Sequence, residues 1–312
     1  MVQNNKFLVI VVGIPRGGNT VYKSIYKHLV KPLDSDLAIC SEEKYIQNNY
    51  LSDNANFLWT IPDYSDWNDY YKKFKNGNYT KYFQAGIDTG LENSGKIHFA
   101  IKDIILNNHL KILEKYKFII YTRFDQIHIS DHKSEFDDNK IYIQEGEDYG
   151  GINDRHSVFP SRYARKFLDI CSYIDSQEGI NNMPKHPNCE GVLNQFLIDK
   201  GLTNIERFKR YQFTVLKTGD ITRWRIPTYK IYFSNKLFFK YPDEFLSSFK
   251  NYLQKNGLLI AFTKTPVFSL NYLLLRMRKK YSKFIPNVFK NFYRNRLKSM
   301  DYFEKIWIRI LH

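Results

Sequence analysis

The sequence predicts an α/β protein, a buried, mostly parallel sheet with helices packed on it. Three observations carry that expectation. Lys6-Phe-Leu-Val-Ile-Val-Val-Gly13 is a continuous apolar run, the pattern of a strand covered on both faces. Lys117-Phe-Ile-Ile-Tyr-Thr122 is a second such run. Behind the first, Val21, Ile25 and Leu29 recur at helical spacing, so the chain opens as strand, turn, helix.

Taken in order, the turn Ile14-Pro-Arg-Gly-Gly18 follows the first strand, and Asn19 is the expected N-cap of the helix. Pro32 is expected to end that helix, and 36–40 reads as a second short strand. The pattern from 41 to 95 is weak, with helices expected over 64–74 and 79–88. A helix is expected over 103–116, leading into the strand at 117–122. A charged loop at 131–140 precedes a short strand at 141–143. Residues 161–174 read as one amphipathic helix. Residues 189–200 read as another, capped by Asn188 and stopped by Gly201. Short strands are expected around 204–216 and 229–233, and a helix over 242–255.

With 312 residues and 43% hydrophobic content, the chain is long enough for a sizeable core. Its 24 Tyr and 24 Phe suit stacking on sugar rings, although most such rings belong in cores and strands. Cys40, Cys171 and Cys189 show no ligand spacing, which argues against structural zinc and fits a reducing compartment. The apolar run at 7–12 is too short for a signal peptide, and the 11-residue stretch Thr265–Leu275 is too short to span a bilayer. The expected location is therefore cytoplasmic.

Net charge is +15, concentrated at the end, where residues 269–312 hold eleven Lys/Arg against two Asp/Glu. Basic residues there alternate with Leu, Phe, Tyr and Trp, as in interfacial helices on anionic membranes. The chain thus divides into a domain at 1–268 and a basic amphipathic tail at 269–312. The tail predicts peripheral attachment to an anionic membrane surface. No nucleic-acid module precedes it, so no nucleic acid is expected as a partner.

Ligands of open parallel sheets bind beyond the carboxyl ends of the strands. The first strand delivers Arg16, Gly17 and Gly18 there, and the second delivers Arg123 and Asp125. Glycines admit a phosphate to the backbone, and Arg16 adds a fork for a diphosphate. The motif is not a Walker A loop, and a tight turn with a surface Arg explains it equally well. Asp125 suits a divalent metal or a ribose hydroxyl; a simple pair with Arg123 is the alternative. Glu190, in the first turn of its helix, suits a general base or merely the helix dipole. Arg223 and Arg225 alternate on an expected strand and either close on a diphosphate or face solvent.

Three segments in order carry a family resemblance: the strand ending Arg123-Phe-Asp125, then Asp148-Tyr-Gly-Gly-Ile-Asn-Asp154, then His186-Pro-Asn-Cys-Glu190 opening a helix. Over roughly residues 6–226 the chain resembles glycosyltransferases of polysaccharide and lipopolysaccharide gene clusters and of large DNA viruses. That resemblance implies a GT-A-like nucleotide-binding sheet flanked by helices. It implies transfer from a nucleotide-sugar donor to a glycan or glycolipid acceptor. Asp125 would stand for the second acid of an Asp-x-Asp signature and hold Mn or Mg. Arg123 replaces the first acid, which leaves metal dependence open. Gly150 and Gly151 would lie over the donor sugar, with Asn153 and Asp154 on its hydroxyls. Asp154 or Glu190 would be the base. A sulfotransferase is the competing reading, because Gly13-Ile-Pro-Arg-Gly-Gly-Asn-Thr20 also looks like a phosphosulfate-binding loop. A non-enzymatic adaptor working through its tail is a third.

Overall fold

A computed structural model describes residues 6–47, 49–153, 155–217, 219–220, 232–234 and 237–256. The basic tail at 269–312, Asp154, Arg223 and Arg225 lie outside these residues.

The main sheet has seven strands in the order β3-β2-β1-β4-β7-β6-β8. They are β1 (Phe7–Val12), β2 (Asp36–Glu42), β3 (Phe57–Ile61), β4 (Phe118–Arg123), β6 (Ile141–Gln144), β7 (His156–Pro160) and β8 (Ile205–Phe208). β1, β2, β3 and β4 run parallel, and β7 alone is reversed between β4 and β6. A second sheet, β10-β11-β9-β5, is built from β5 (Gln126–His128), β9 (Gln212–Lys217), β10 (Tyr232–Ser234) and β11 (Leu237–Phe239). The chain passes from one sheet to the other at Phe124-Asp125, between β4 and β5.

The helices among the described residues are α1 (Asn19–Ile25), α2 (Glu43–Ile46), α3 (Asn68–Tyr71), α4 (Tyr79–Ala85), α5 (Lys96–Leu113), α6 (Ala164–Leu168), α7 (Ile170–Asp175), α8 (Gln177–Asn181), α9 (Cys189–Asp199) and α10 (Pro242–Lys255). β1 explains the layering. Leu8, Ile10 and Val12 face one apolar cluster that takes in Ile101 and Ile105 of α5, Phe167 of α6 and Leu193 of α9. Phe7, Val9 and Val11 face the other, with Val21 and Ile25 of α1, Phe213 and Val215 of β9 and Phe249 of α10. Alternate residues of one strand thus serve two cores, which is why β1 reads as unbroken apolar sequence.

Several expectations need correction. Asn19 does not cap α1: Gly18 occupies that position and no side chain caps the helix. Pro32 does not stop the chain's turning, because a π turn at Tyr26–Val30 leads into a 3-10 turn, Lys31–Leu33, that tolerates proline at its start. α5 begins at Lys96, well before 103, since Lys96, Lys102 and Asp103 are buried polar residues that read as surface. Asp103 accepts a hydrogen bond from Lys73 at 2.6 Å, which satisfies its buried charge. The helix expected over 161–174 is divided at Asp169 into α6 and α7. The 64–74 segment holds only the single turn of α3. The N-cap at Asn188 stands, its Oδ1 accepting from Gly191 N at 2.6 Å.

Candidate functional site

The strand ends are level. Val12 pairs with both Cys40 and Arg123, so β1, β2 and β4 finish together. β1 has neighbours reached by crossovers in opposite directions, which opens a crevice beyond its carboxyl end. A cleft of about 480 Å³ occupies that crevice. Gly13, Ile14 and Arg16 line it from β1, Ser41 and Glu42 from β2, and Arg123 from β4. Its far wall comes from Ser94, Ile97, His98 and Ile101 around the start of α5 and from Asn188, Cys189 and Glu190 at the start of α9. Tyr149, Arg155 and, from the segment between β11 and α10, Lys240 and Tyr241 complete its lining.

Asp125 sits behind this wall, 2% exposed. Arg16 Nη1 donates to its Oδ2 at 2.9 Å. Arg123 donates through Nε to Oδ1 at 3.1 Å and through Nη2 to Oδ2 at 2.7 Å. Burial alone would raise the Asp125 pKa, but the charges of Arg123, Arg16 and Lys240 outweigh it and hold the carboxyl well below the usual carboxylate range. A second buried carboxylate, Glu244 on α10, receives Arg155 Nη1 and lies 3.1 Å from Arg210 Nη1. Its Oε2 also accepts Thr214 N at 2.8 Å. The Arg155 guanidinium stands over the Tyr241 ring, 4.4 Å from its centroid.

These contacts decide the metal question on chemistry. Both Asp125 oxygens are taken by guanidinium donors, and Arg16, Arg123 and Lys240 raise the local positive potential. Among the described residues no group of three His, Cys, Asp or Glu is placed to hold an ion. The residues here do not fit Mn or Mg at Asp125. Asp125 instead fixes two arginines, and they point cationic surface into the cleft.

The other expected residues divide. Glu190 reaches the cleft from the first turn of α9. Gly17 does not line it: its N–H donates to Asp220 Oδ2 at 3.0 Å, so a carboxylate already holds the amide expected for a phosphate. Asn153 is 1% exposed and spent on its own loop, with Nδ2 donating to Gly146 O at 2.8 Å and Oδ1 accepting from Arg155 N at 2.8 Å. It positions Arg155 and does not face a sugar. Gly150 is exposed, and Gly151 packs on the backbone of α9 at Glu190.

That packing gives a prediction. A Cβ at Gly151 would overlap the carbonyl of Glu190 and the amide of Gly191, both fixed by the helix start. Gly151→Ala is expected to cost about 3 kcal/mol and to displace Glu190. Gly150→Ala meets nothing within 4 Å and strains only its left-handed φ, costing about 1 kcal/mol. Paired denaturant titrations check this, and equal losses would remove the role given to Gly151.

Sequence reasoning missed Arg155, Lys240, Tyr241, Glu42 and His98. Only Glu42 carried a local signal, as the polar residue closing the run at 36–40. Arg155 and Lys240 arrive through strand pairing between distant segments. No protein-family model matches this chain, and no curated protein matches it.

Proposed function

We propose that the protein is a glycosyltransferase that takes a sugar from a nucleoside-diphosphate donor and joins it to a hydroxyl of a glycan or glycolipid. One observation carries the reading: Arg16, Arg123, Arg155 and Lys240 converge on a crevice at the carboxyl ends of parallel strands. A diphosphate leaving group gathers negative charge as its bond to the sugar breaks. Fixed cations in a partly desolvated cleft stabilise that charge. In this reading the acceptor oxygen forms the new bond to the anomeric carbon, the carbon–oxygen bond to the phosphate breaks, and the acceptor proton passes to a carboxylate. Glu190, which lines the cleft from the first turn of α9, takes that role in this reading. The GT-A assignment belongs to the same proposal, as does peripheral membrane attachment through 269–312. No helix among the described residues is long and apolar enough to cross a membrane.

The sulfotransferase reading is weaker, because the loop that would grip the phosphosulfate has its Gly17 amide held by Asp220.

Thermal shift against a panel of nucleoside-diphosphate sugars, with EDTA throughout, tests the proposal. A ligand at a hundredfold its Kd adds about 2.7 kcal/mol, a rise of roughly 5 °C or more. With that donor, Glu190→Gln is expected to lower kcat by about 10²-fold or more while the shift persists. A panel without any shift, alongside a shift with adenosine 3′-phosphate 5′-phosphosulfate, would overturn the assignment.

A further inference from the structure

The Lys240 ammonium has a setting unlike that of the arginines around it. The residue is 6% exposed and lines the cleft. Its backbone is anchored, N donating to Thr214 O at 3.0 Å, so the side chain leaves a fixed point on the second sheet. Arg16 and Arg123 each pair directly with Asp125, which they share, and Arg155 pairs with Glu244, which also meets Arg210. Lys240 forms no ion pair among the described residues. Its Nζ lies 5.3 Å from the centroid of the Tyr241 ring. The ammonium is thus placed in a cavity with no directly paired carboxylate among the described residues, and a buried charge without such a partner is costly.

We propose that Lys240 is the phosphate-binding group of the cleft and that it takes up its proton as the anion arrives, making diphosphate binding proton-coupled and independent of metal. This rests on the reading of the cleft as a diphosphate site, but not on which group is transferred.

The largest influences on Lys240 favour this behaviour, with one carboxylate against them. Burial is the largest influence and pushes its pKa down to about 7. Arg123 from β4, Arg16 from the β1–α1 turn and Arg155 from the start of β7 push the same way. Asp125 alone opposes them. Tyr241 beside it is held neutral, its own pKa raised by burial. Glu190 also lines the cleft. Bringing two phosphate charges into the cavity supplies a directly paired anion and stabilises the charged ammonium. One proton moves from solvent to Nζ, and no other bond changes. Arginine cannot do this, since it never loses its proton in this range.

The sign follows from linkage. Below pH 7 Lys240 is already charged, and binding moves no proton there. Above pH 7 the free protein lacks the proton and the complex holds it. Affinity then falls by a factor approaching ten per pH unit until the pKa of the complex is reached.

The test is isothermal titration calorimetry of the full chain with inorganic pyrophosphate, in EDTA, using buffers of different ionisation enthalpy at pH 6, 7 and 8. Lys240→Arg is titrated in parallel. The proton equilibria of pyrophosphate are common to both proteins and cancel in the difference. At pH 8 the wild type is expected to take up nearly one proton more than Lys240→Arg, with the difference vanishing at pH 6. Lys240→Met is expected to bind at least tenfold more weakly at pH 6, with its fold checked by circular dichroism. Equal proton uptake in wild type and Lys240→Arg would sink the proposal. So would undetectable pyrophosphate binding to the folded wild type, or binding that requires added metal. If pyrophosphate binds as described but no nucleotide sugar does, this inference stands and the glycosyltransferase reading falls.

Discussion

Mild acid is expected to unfold this protein over a range in which most folds of its size are still stable. Four histidines form a layer at the seam between the two sheets. His156 of β7 faces Thr122 of β4, Nδ1 lying 2.9 Å from the hydroxyl, while its Nε2 lies 2.9 Å from Nε2 of His132. One of those two nitrogens donates and the other accepts, so both rings cannot be charged without placing N–H against N–H. His128 on β5 is 2% exposed, and its Nε2 has no hydrogen-bond partner among the described residues. Burial pushes His128 and His156 well below the ordinary value, and the neighbouring imidazoles push further. Burial takes His132 down to about 4 against the opposing hydrogen bond with the Lys133 carbonyl, and the Lys133 and Lys255 charges push it the same way as burial. His28 is lowered more gently, because burial there works against the Asp131 carboxylate 2.7 Å away.

The sign is clear. Below pH 6.5 the unfolded chain binds protons at these rings and the folded chain does not, so stability falls as pH falls. Each ring that stays neutral costs about 1.4 kcal/mol per pH unit in that window. With three or four rings, a typical stability of roughly 5–15 kcal/mol is mostly gone by about pH 4.5. Melting temperature measured from pH 7.5 to 4.5 checks this. His156→Gln should flatten the slope by about one ring's share, though its starting stability will be lower. A melting temperature that is level between pH 7 and 5 would refute the account.

The second large effect is expected at Asp125. Removing its carboxylate takes from Arg16 and Arg123 the counter-charge that they share, beside Lys240. Breaking a buried pair in this way costs about 3–5 kcal/mol, or roughly 10 °C in melting temperature. Asp125→Ala and Asp125→Asn should both show it, since neither side chain carries charge. Part of the loss should return in millimolar pyrophosphate, which replaces the missing anion. Had Asp125 been a metal ligand first, the metal-free protein would barely notice the change and only its response to Mn would disappear. Scanning calorimetry in EDTA therefore separates the two roles directly.

What the sequence disclosed follows from which forces are local. β1, β2 and β4 were legible because strands buried on both faces must be apolar throughout, and α9 and α10 because one apolar stripe suffices for a helix. β3, β5, β7 and β11 were not. β7 carries His156 and Ser157 indoors, and β5 carries Gln126 and His128, so both look like loop. β3 is an edge strand with Leu58 half exposed, which blurs its pattern. The site divides in the same way. Arg16, Arg123, Asp125 and Glu190 stand at the ends of legible elements and could be named. Lys240 and Arg155 could not, because their places depend on β9 pairing with β5 and on Glu244 lying under Arg155.

The passage of the chain between the sheets at Phe124-Asp125 also sets an order of assembly. β1, β2, β3 and β4 can pair once residue 123 has left the ribosome, and Asp125 can then meet Arg16 and Arg123. β5 has no partner until β9 emerges, since Gln126 pairs with Thr214. Contacts of such long sequence separation form late in folding. Lys240 follows β11 and is among the last described residues to arrive. A nascent chain would therefore pass through a stage with half a cleft, Asp125 already on Arg16 and Arg123 and β5 still unpaired. Lys240 enters only after Asp125 has met Arg16 and Arg123, and the exposed edge of β5 in the interval is the surface a chaperone would have to shield.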